Sequence, residues 1–290
     1  MKINQLDLFS GIGGFHLGFE RAGYEVTSYF SEVDKHAVSV YKHQFPKSTY
    51  VGSVTDVRGE DLPNIDLITF GSPCQDFSLA GKRQGMGGQR SSLILEAIRL
   101  IHECRPSVFI WENVKGTFSS NDGADFWAII QAFANIGGYR LEWQLLNTSW
   151  FLPQNRERIY LVGYSTTTKR NWRGVFPITA DDRENDGISR QVCKTLTCRY
   201  TADSNGSFLI TDKQSAEKFK VKSATGNRIR RLTPIECERL QGFPDNHTAF
   251  GNYDGEVKAV SNTQRYKQCG NAVTVDVVQS IANKCKSLFK

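Results

Sequence analysis

The sequence predicts a doubly wound α/β fold with a second, small, irregular or β-rich module. Three observations predict it. Short apolar runs alternate with helical patterns over residues 1–164, as strands joined by crossover helices do. Residues 65–70 form a near-continuous apolar run, the pattern of a parallel strand buried on both faces. Near Ser165 the texture changes to Thr, Ser, Asn, Asp, Lys and Arg with few periodic apolar positions.

The elements follow in order. Residues 3–9 read as the first strand, ending in Ser10-Gly11-Ile12-Gly13-Gly14. A helix follows with Phe15, Leu17, Phe19 and Ala22 apolar, and Gly23 closes it. Residues 26–30 are the next strand, then a helix runs through Val38 and Tyr41. Residues 93–101 are helical, 107–111 a strand, and 126–136 a helix closed by Gly137-Gly138. Residues 139–147 and 158–163 are the final strands. Thr233-Pro234-Ile235-Glu236 is a capping box with Pro at the first helical position. Residues 245–262 are polar and Gly/Asn-rich and read as loop. The last helix starts near Ala272 and carries Val273, Val277, Ile281, Cys285 and Leu288 on one face.

At 290 residues the chain is one large domain or two smaller ones. With 39% apolar and 23% charged residues it is neither a disordered chain nor a fibre. No apolar run approaches the ~18 residues of a membrane span. Residues 1–14 lack a signal peptide's basic flank and long apolar centre, so a cytoplasmic protein is expected. Seven cysteines with no C-x-x-C pair argue against a disulfide framework or a zinc site. The charge is uneven. Residues 1–164 hold 15 Lys+Arg against 17 Asp+Glu, and residues 165–290 hold 21 against 13. A basic C-terminal half fits a polyanionic partner such as DNA or RNA.

Four places can carry chemistry. Gly11, Gly13 and Gly14 let the chain turn sharply beside a helix N-terminus, and Glu32 lies about 20 residues on, where an acid binds ribose hydroxyls. The glycines depart from the dinucleotide spacing and no Walker-type Lys follows. A cofactor without phosphate, such as S-adenosylmethionine, therefore fits at least as well as a dinucleotide. Cys74 follows the buried strand at 65–70, at the edge where α/β sheets place ligands. The loop after it interleaves Gly81, Gly85, Gly87 and Gly88 with Lys82, Arg83 and Arg90, as a mobile, phosphate-meeting lid would. Glu112-Asn113 ends the strand at 107–111, with a helix cap as the alternative role for Asn113. Gln154, Arg156 and Arg158 alternate on an extended segment. The two arginines need a buried acid or a bound base and phosphate, or else they form surface salt bridges.

Together these residues resemble the cytosine-5 DNA methyltransferase family, of the bacterial or phage type. Asp7-Leu8-Phe9-Ser10-Gly11-Ile12-Gly13-Gly14-Phe15 is similar to its cofactor loop, and Gly71-Ser72-Pro73-Cys74-Gln75 to its nucleophile motif. Glu112-Asn113-Val114 is similar to the segment that holds the target base, and Gln154 to Arg158 to the family's Q-x-R-x-R. Arg231-Leu232-Thr233-Pro234 and Glu238-Arg239-Leu240-Gln241-Gly242-Phe243-Pro244 resemble the border of the target-recognition domain. Gly270-Asn271-Ala272-Val273 resembles the closing motif. Six matches in the family's order cover nearly the whole chain outside residues 166–227.

The resemblance implies a Rossmann-like methyltransferase sheet over residues 1–168 and 268–290, and a DNA-binding target-recognition domain over 169–267. It implies methyl transfer from S-adenosylmethionine to carbon 5 of a cytosine flipped out of a short specific duplex sequence. Cys74 would attack carbon 6, Glu112 would hold N3 and the exocyclic amine, and Arg158 would contact O2. Asn113 would help shape the pocket around Pro73. Arg156 and Gln154 are grouped with the catalytic set. Phe9, Gly11, Ile12, Gly13 and Gly14 would wrap the cofactor and Glu32 bind its ribose. Val33 and Val54 would face the adenine, and Leu93, Asn271 and Ala272 complete the pocket. Ser53 stands where the family commonly has an Asp, and Asp56 could substitute for it. Gln75, Ser78, Lys82, Arg83, Arg90, Arg190, Lys194, Arg199, Arg228 and Arg230 are candidates for DNA contacts. A monomer is expected, in a restriction–modification setting with a possible cognate endonuclease, or as an orphan methylase. Three alternatives stay open at this point: a tRNA cytosine-5 methyltransferase on the same scaffold, a non-catalytic DNA-binding protein, and a nicotinamide-dependent oxidoreductase.

Overall fold

The computed structural model describes residues 1–72, 93–167, 174–182, 193–194, 196–197, 208–211 and 228–289. A seven-stranded sheet forms its centre. The elements are β1 (Lys2–Leu8), α1 (Gly14–Arg21), β2 (Glu25–Ser31), α2 (Lys35–Gln44), β3 (Thr49–Tyr50), β4 (Leu67–Gly71), α3 (Leu93–Cys104) and β5 (Val108–Val114). They continue with α4 (Ala124–Ala134), β6 (Tyr139–Asn147), β7 (Gln154–Asn155) and β8 (Glu157–Ser165). The strand order is β3-β2-β1-β4-β5-β8-β6, with β8 antiparallel between β5 and β6 and the others parallel.

Period-2 alternation along the central strands divides the apolar residues between two cores. Ile3, Leu67, Val108, Ile110, Tyr160 and Val162 pack with α1 and with α7 (Val275–Cys285) on one face. Leu6, Leu8, Ile68, Phe70, Phe109, Trp111, Ile159 and Leu161 pack with α3 and α4 on the other. Helices cover both faces because the strands between them are apolar on both. In α3, Ile94, Ala97, Leu100 and Ile101 are buried, one stripe of a helix. Asp34 caps α2, accepting from His36 N at 2.9 Å.

Beyond β8 the short strands are β9 (Cys193–Lys194), β10 (Phe208–Thr211) and β11 (Arg228–Arg231). β9 pairs in parallel with β7, and β10 antiparallel with β11. Then come α5 (Pro234–Leu240), β12 (Phe250–Tyr253), β13 (Glu256–Ala259) and α6 (Asn262–Asn271). The capping box at Thr233 and Glu236 is formed in both directions.

Two readings of the sequence need correction. Residues 245–262 are not loop: β12 and β13 form a hairpin whose turn places Asp254 (φ 52°) and Gly255 (φ 96°) in the left-handed region. The closing helix starts three residues later than expected, and a separate helix, α6, precedes it. Ala272 is extended (φ −67°, ψ 152°), which ends α6 at Asn271 and delays α7 to Val275.

The packing also bears on the expected 169–267 division. The β12–β13 hairpin lies on α2, with His36 Nδ1 2.7 Å from the Tyr253 hydroxyl. Phe243 and Val260 share a small core with Ile12, Ala37, Val40, Ala272 and Val275. Among the described residues, no helix is long and apolar enough to cross a membrane.

Candidate functional site

The strand order reverses at β1, and the carboxyl ends of β1, β2 and β4 are where an α/β sheet of this order has its ligand crevice. The chain leaves β1 through Phe9 (φ 51°), Gly11 (φ 55°) and Gly13 (φ 84°), three left-handed residues that turn it into α1. Gly13 is also held by packing: a Cβ there would lie 2.4 Å from the Phe45 ring. Nothing stands within 4 Å of a Cβ on Gly11, so that residue faces open space.

Glu32, ending the β2 side, braces this loop. Its Oε2 accepts Gly11 N at 2.9 Å, and its Oε1 accepts Val33 N at 2.8 Å and Asp34 N at 2.9 Å. A carboxylate has about four acceptor sites, so one remains for a hydroxyl. Beside it Val33 is 77% exposed, an apolar side chain left uncovered at the crevice. The buried Ser10 hydroxyl has no hydrogen-bond partner. An acid, an open glycine, an uncovered apolar side chain and an orphan hydroxyl, with no basic residue in the loop, suit a nucleoside better than a pyrophosphate.

The other expected cofactor residues are distributed as follows. Ile12 is buried beneath the loop, and Leu93 is half-buried at the start of α3. Asn271 is exposed at the end of α6, next to the buried Ala272. Ser53 is half-buried and bonds Thr55 Oγ1 at 2.9 Å, while Asp56 is exposed. Val54 does not stand open to the crevice: its side chain is buried with Val57, Ile65 and Ile101. Arg99 of α3 fixes that segment, donating to Val54 O at 3.2 Å and Val57 O at 2.9 Å.

The second half of the site lies at the ends of β4, β5 and β8. Glu112 is paired in register with Gly71 on one side and Tyr160 on the other. Arg158, two residues before Tyr160, lies on the same face, where that core runs out. Its Nε is 3.0 Å from Glu112 Oε1, and both side chains are largely buried. A Cβ at residue 71 would stand 3.0 Å from Glu112 Oε2, so glycine keeps the second oxygen clear. Beneath them burial pushes the Tyr160 phenol far up, so it stays protonated.

Asn113 turns inward to organise the end of β4. Its Nδ2 donates to Ser72 O at 3.2 Å and Ser72 Oγ at 3.3 Å, and its Oδ1 accepts from Val114 N and Thr117 Oγ1. Trp111 Nε1 also donates to Ser72 Oγ, at 3.0 Å. Ser72 is thus fixed two residues before Cys74. Pro73, Cys74, Gln75, Ser78, Lys82, Arg83 and Arg90 lie outside the described residues, as do Arg190 and Arg199. Lys194, Arg228 and Arg230 are placed by their strands alone.

Gln154 and Arg156, grouped with the catalytic set on sequence, turn their polar groups to the main chain. They are 0% and 3% exposed, and their side chains bond main-chain groups of residues 196, 240, 270 and 272. The alternation argument treated them as equivalent to Arg158. Partners so distant in sequence leave no local pattern.

His247 went unread in the sequence. Its Nε2 lies 2.9 Å from Ile12 O, where it must donate, and burial lowers its pKa to about 4. A neutral imidazole therefore supports the loop after β1. A histidine three residues after the Pro244 turn was the available signal. Asp7 is also buried: Thr69 Oγ1 donates to it at 2.8 Å, and burial pushes its carboxyl well above the usual range.

Known proteins match this chain along nearly all of its length. The family described as C-5 cytosine-specific DNA methylase matches residues 3–197 and 168–287. Type II methyltransferase M1.ScrFI of Lactococcus lactis subsp. cremoris is 32% identical over 98% of this chain and 78% of its own. Type II methyltransferase M.Bsp6I of Bacillus sp. (strain RFL6) is 31% identical over 97% and 98% respectively. Among solved structures, the Dnmt2 methyltransferase of S. pombe superposes with a TM-score of 0.74 at 20% identity, covering 98% of both chains, and so shares the fold.

Proposed function

The chain belongs to the C-5 cytosine-specific DNA methylase family, and on that premise we propose how its residues methylate carbon 5 of cytosine in DNA. The observation that carries the reading is the Glu112–Arg158 pair, set at the sheet edge beside the Ser72 anchor that leads into Cys74.

S-adenosylmethionine, when bound in the crevice at Gly11, Glu32 and Val33, supplies the methyl group as an activated electrophile. The cytosine is flipped out of a short specific duplex sequence, because its ring is inaccessible in the stack. The Cys74 thiolate adds to carbon 6, forming the S–C6 bond and shifting the C5–C6 π electrons into an enamine with a nucleophilic carbon 5. Glu112 Oε2, the oxygen that Gly71 leaves clear, meets N3 and the exocyclic amine and shares a proton as charge builds on the ring. Arg158 holds Oε1 and donates to the ring's O2. Once carbon 5 carries the methyl group, loss of its proton to a base re-forms the C5–C6 double bond and expels Cys74 as thiolate.

The recognition module is assigned to residues 168–231 rather than 169–267, because Phe243, Val260 and the β12–β13 hairpin pack with the loop after β1 and with α2. Arg190, Lys194, Arg199, Arg228 and Arg230 are its candidate DNA contacts, and Gln75, Ser78, Lys82, Arg83 and Arg90 are those of the loop after β4. The setting is a cytoplasmic monomer, alone or with a cognate restriction endonuclease.

The test is to incubate unmethylated genomic DNA with the protein and S-adenosylmethionine, and then to sequence it after bisulfite treatment. Methylation should appear at one short motif and fall at least ~10³-fold with Cys74→Ser. Methylation that persists with Cys74→Ser would overturn the covalent route.

A further inference from the structure

We propose that Arg156, with Gln154, couples the seating of the recognition module to the grip on the cofactor. Both are positioning residues, and the proposal rests on the DNA and cofactor reading given above. Arg156 is buried between three segments distant in sequence. Its Nη1 donates to Leu196 O at 3.0 Å and to Gly270 O at 3.3 Å, and its Nη2 donates to Ala272 O at 2.9 Å. Gln154 takes the other polar group of the same residue: Leu196 N donates to its Oε1 at 2.9 Å. Its Nε2 donates to Leu240 O at 2.8 Å.

Both main-chain groups of Leu196 therefore end on side chains from the strip that leads into Arg158. The Leu196 side chain is buried against Leu232, Cys237 and Cys269, and β9 adds a two-residue ladder to β7. Leu196 lies in the recognition module, whereas Gly270–Ala272 borders the cofactor crevice. One guanidinium joins them. Its donors are fixed in a plane, so it cannot follow Leu196 O without changing its bonds to Gly270 and Ala272. DNA that draws the module into place orients this plane, and a bound cofactor that fixes Ala272 orients it equally. Such coupling is reciprocal by linkage.

The test measures binding of S-adenosylhomocysteine, the demethylated product, to the full chain by calorimetry. It is done alone and with a saturating duplex that carries the motif the wild type methylates. The wild type should bind about tenfold more tightly with duplex than without. Arg156→Lys keeps the charge but loses the fork, and Gln154→Met keeps the size but loses both bonds. Each should bring that ratio to within about twofold of one, with a smaller change in duplex-free affinity. A merely structural role lowers both affinities together and leaves the ratio intact. Folding of each variant is checked by circular dichroism, and if Arg156→Lys does not fold, Gln154→Met decides. An unchanged ratio in the folded variants, or a wild-type ratio of one, overturns the coupling. Absence of any wild-type methylation sinks the functional reading itself, whereas methylation with an unchanged ratio sinks only this proposal.

Discussion

The two halves of the sheet's carboxyl edge are made of different materials. The half proposed to hold the cofactor is built from main chain: left-handed residues 9, 11 and 13, amides gathered on Glu32, and the Ile12 carbonyl held by His247. The base half is built from side chains, with Glu112 against Arg158 and an Asn113–Ser72–Trp111 cluster below. The first half fails when atoms are added, because its shape depends on missing side chains. The second fails when atoms are removed, because each deletion strands a buried polar group.

Arg158→Ala should break the base half most severely. It leaves the Glu112 carboxylate largely buried without its cation, at a cost of roughly 3 kcal/mol. Denaturant unfolding measures this, and the methylation rate should fall at least ~10²-fold. Adding Glu112→Gln removes the stranded charge. It should recover most of the stability and none of the rate, and recovery of the rate would count against the assigned roles.

In the cofactor half the largest effect is one of pH. The folded pKa of His247 is lowered to about 4 from 6.5 in the unfolded chain. The unfolded state therefore takes up a proton that the native state refuses as pH falls through this window. Stability present above pH 6.5 is lost towards pH 4, by up to ~3 kcal/mol. His247→Gln should remove this part of the slope in unfolding curves at pH 7 and 4.5. Equal slopes in both proteins would show that the imidazole is not what titrates.

Gly13→Ala tests the added-atom rule directly. A methyl group 2.4 Å from the Phe45 ring, at φ 84°, must displace the ring or the loop. With a strain of about 1–3 kcal/mol, the KM for S-adenosylmethionine should rise about tenfold while kcat changes little. A selective fall in kcat would place Gly13 in the base half instead. The smallest effect is a control outside both halves. Thr233→Ala removes the α5 cap and should cost about 1 kcal/mol in unfolding with the rate unchanged.

What could be read from the sequence follows the same division. Strands β4, β5, β6 and β8 were readable because their apolar residues run on or alternate, and β1 and β2 because short apolar stretches flank the glycine-rich turn and its helix. Glycines and strand-end acids carry a local spacing, so the turn after β1 and the place of Glu32 beside it were legible, whereas the burial of Val54 was not. That apolar residue gave no sign that it would turn into the core. The β12–β13 hairpin was hidden among polar residues, although Asp254-Gly255 is a strong turn signal. Helix α6 was missed because most of its residues are polar and several of its contacts are ion pairs, such as Arg265 with Glu238. The partners of Arg156 could not be read at all, since main-chain carbonyls look alike at every residue.

Helix α7 packs along α1, and the Tyr24 hydroxyl donates to Ala282 O at 2.9 Å across 258 residues of chain. On the ribosome, at roughly 5–20 residues per second, α1 waits ~15–50 s for that cover. Throughout that interval Phe15 and Phe19 are without Val277, Val278 and Ile281. A chain cut short anywhere before α7 therefore leaves this face of α1 bare beside the loop after β1, and loss of methylation by such a truncation is the expected outcome.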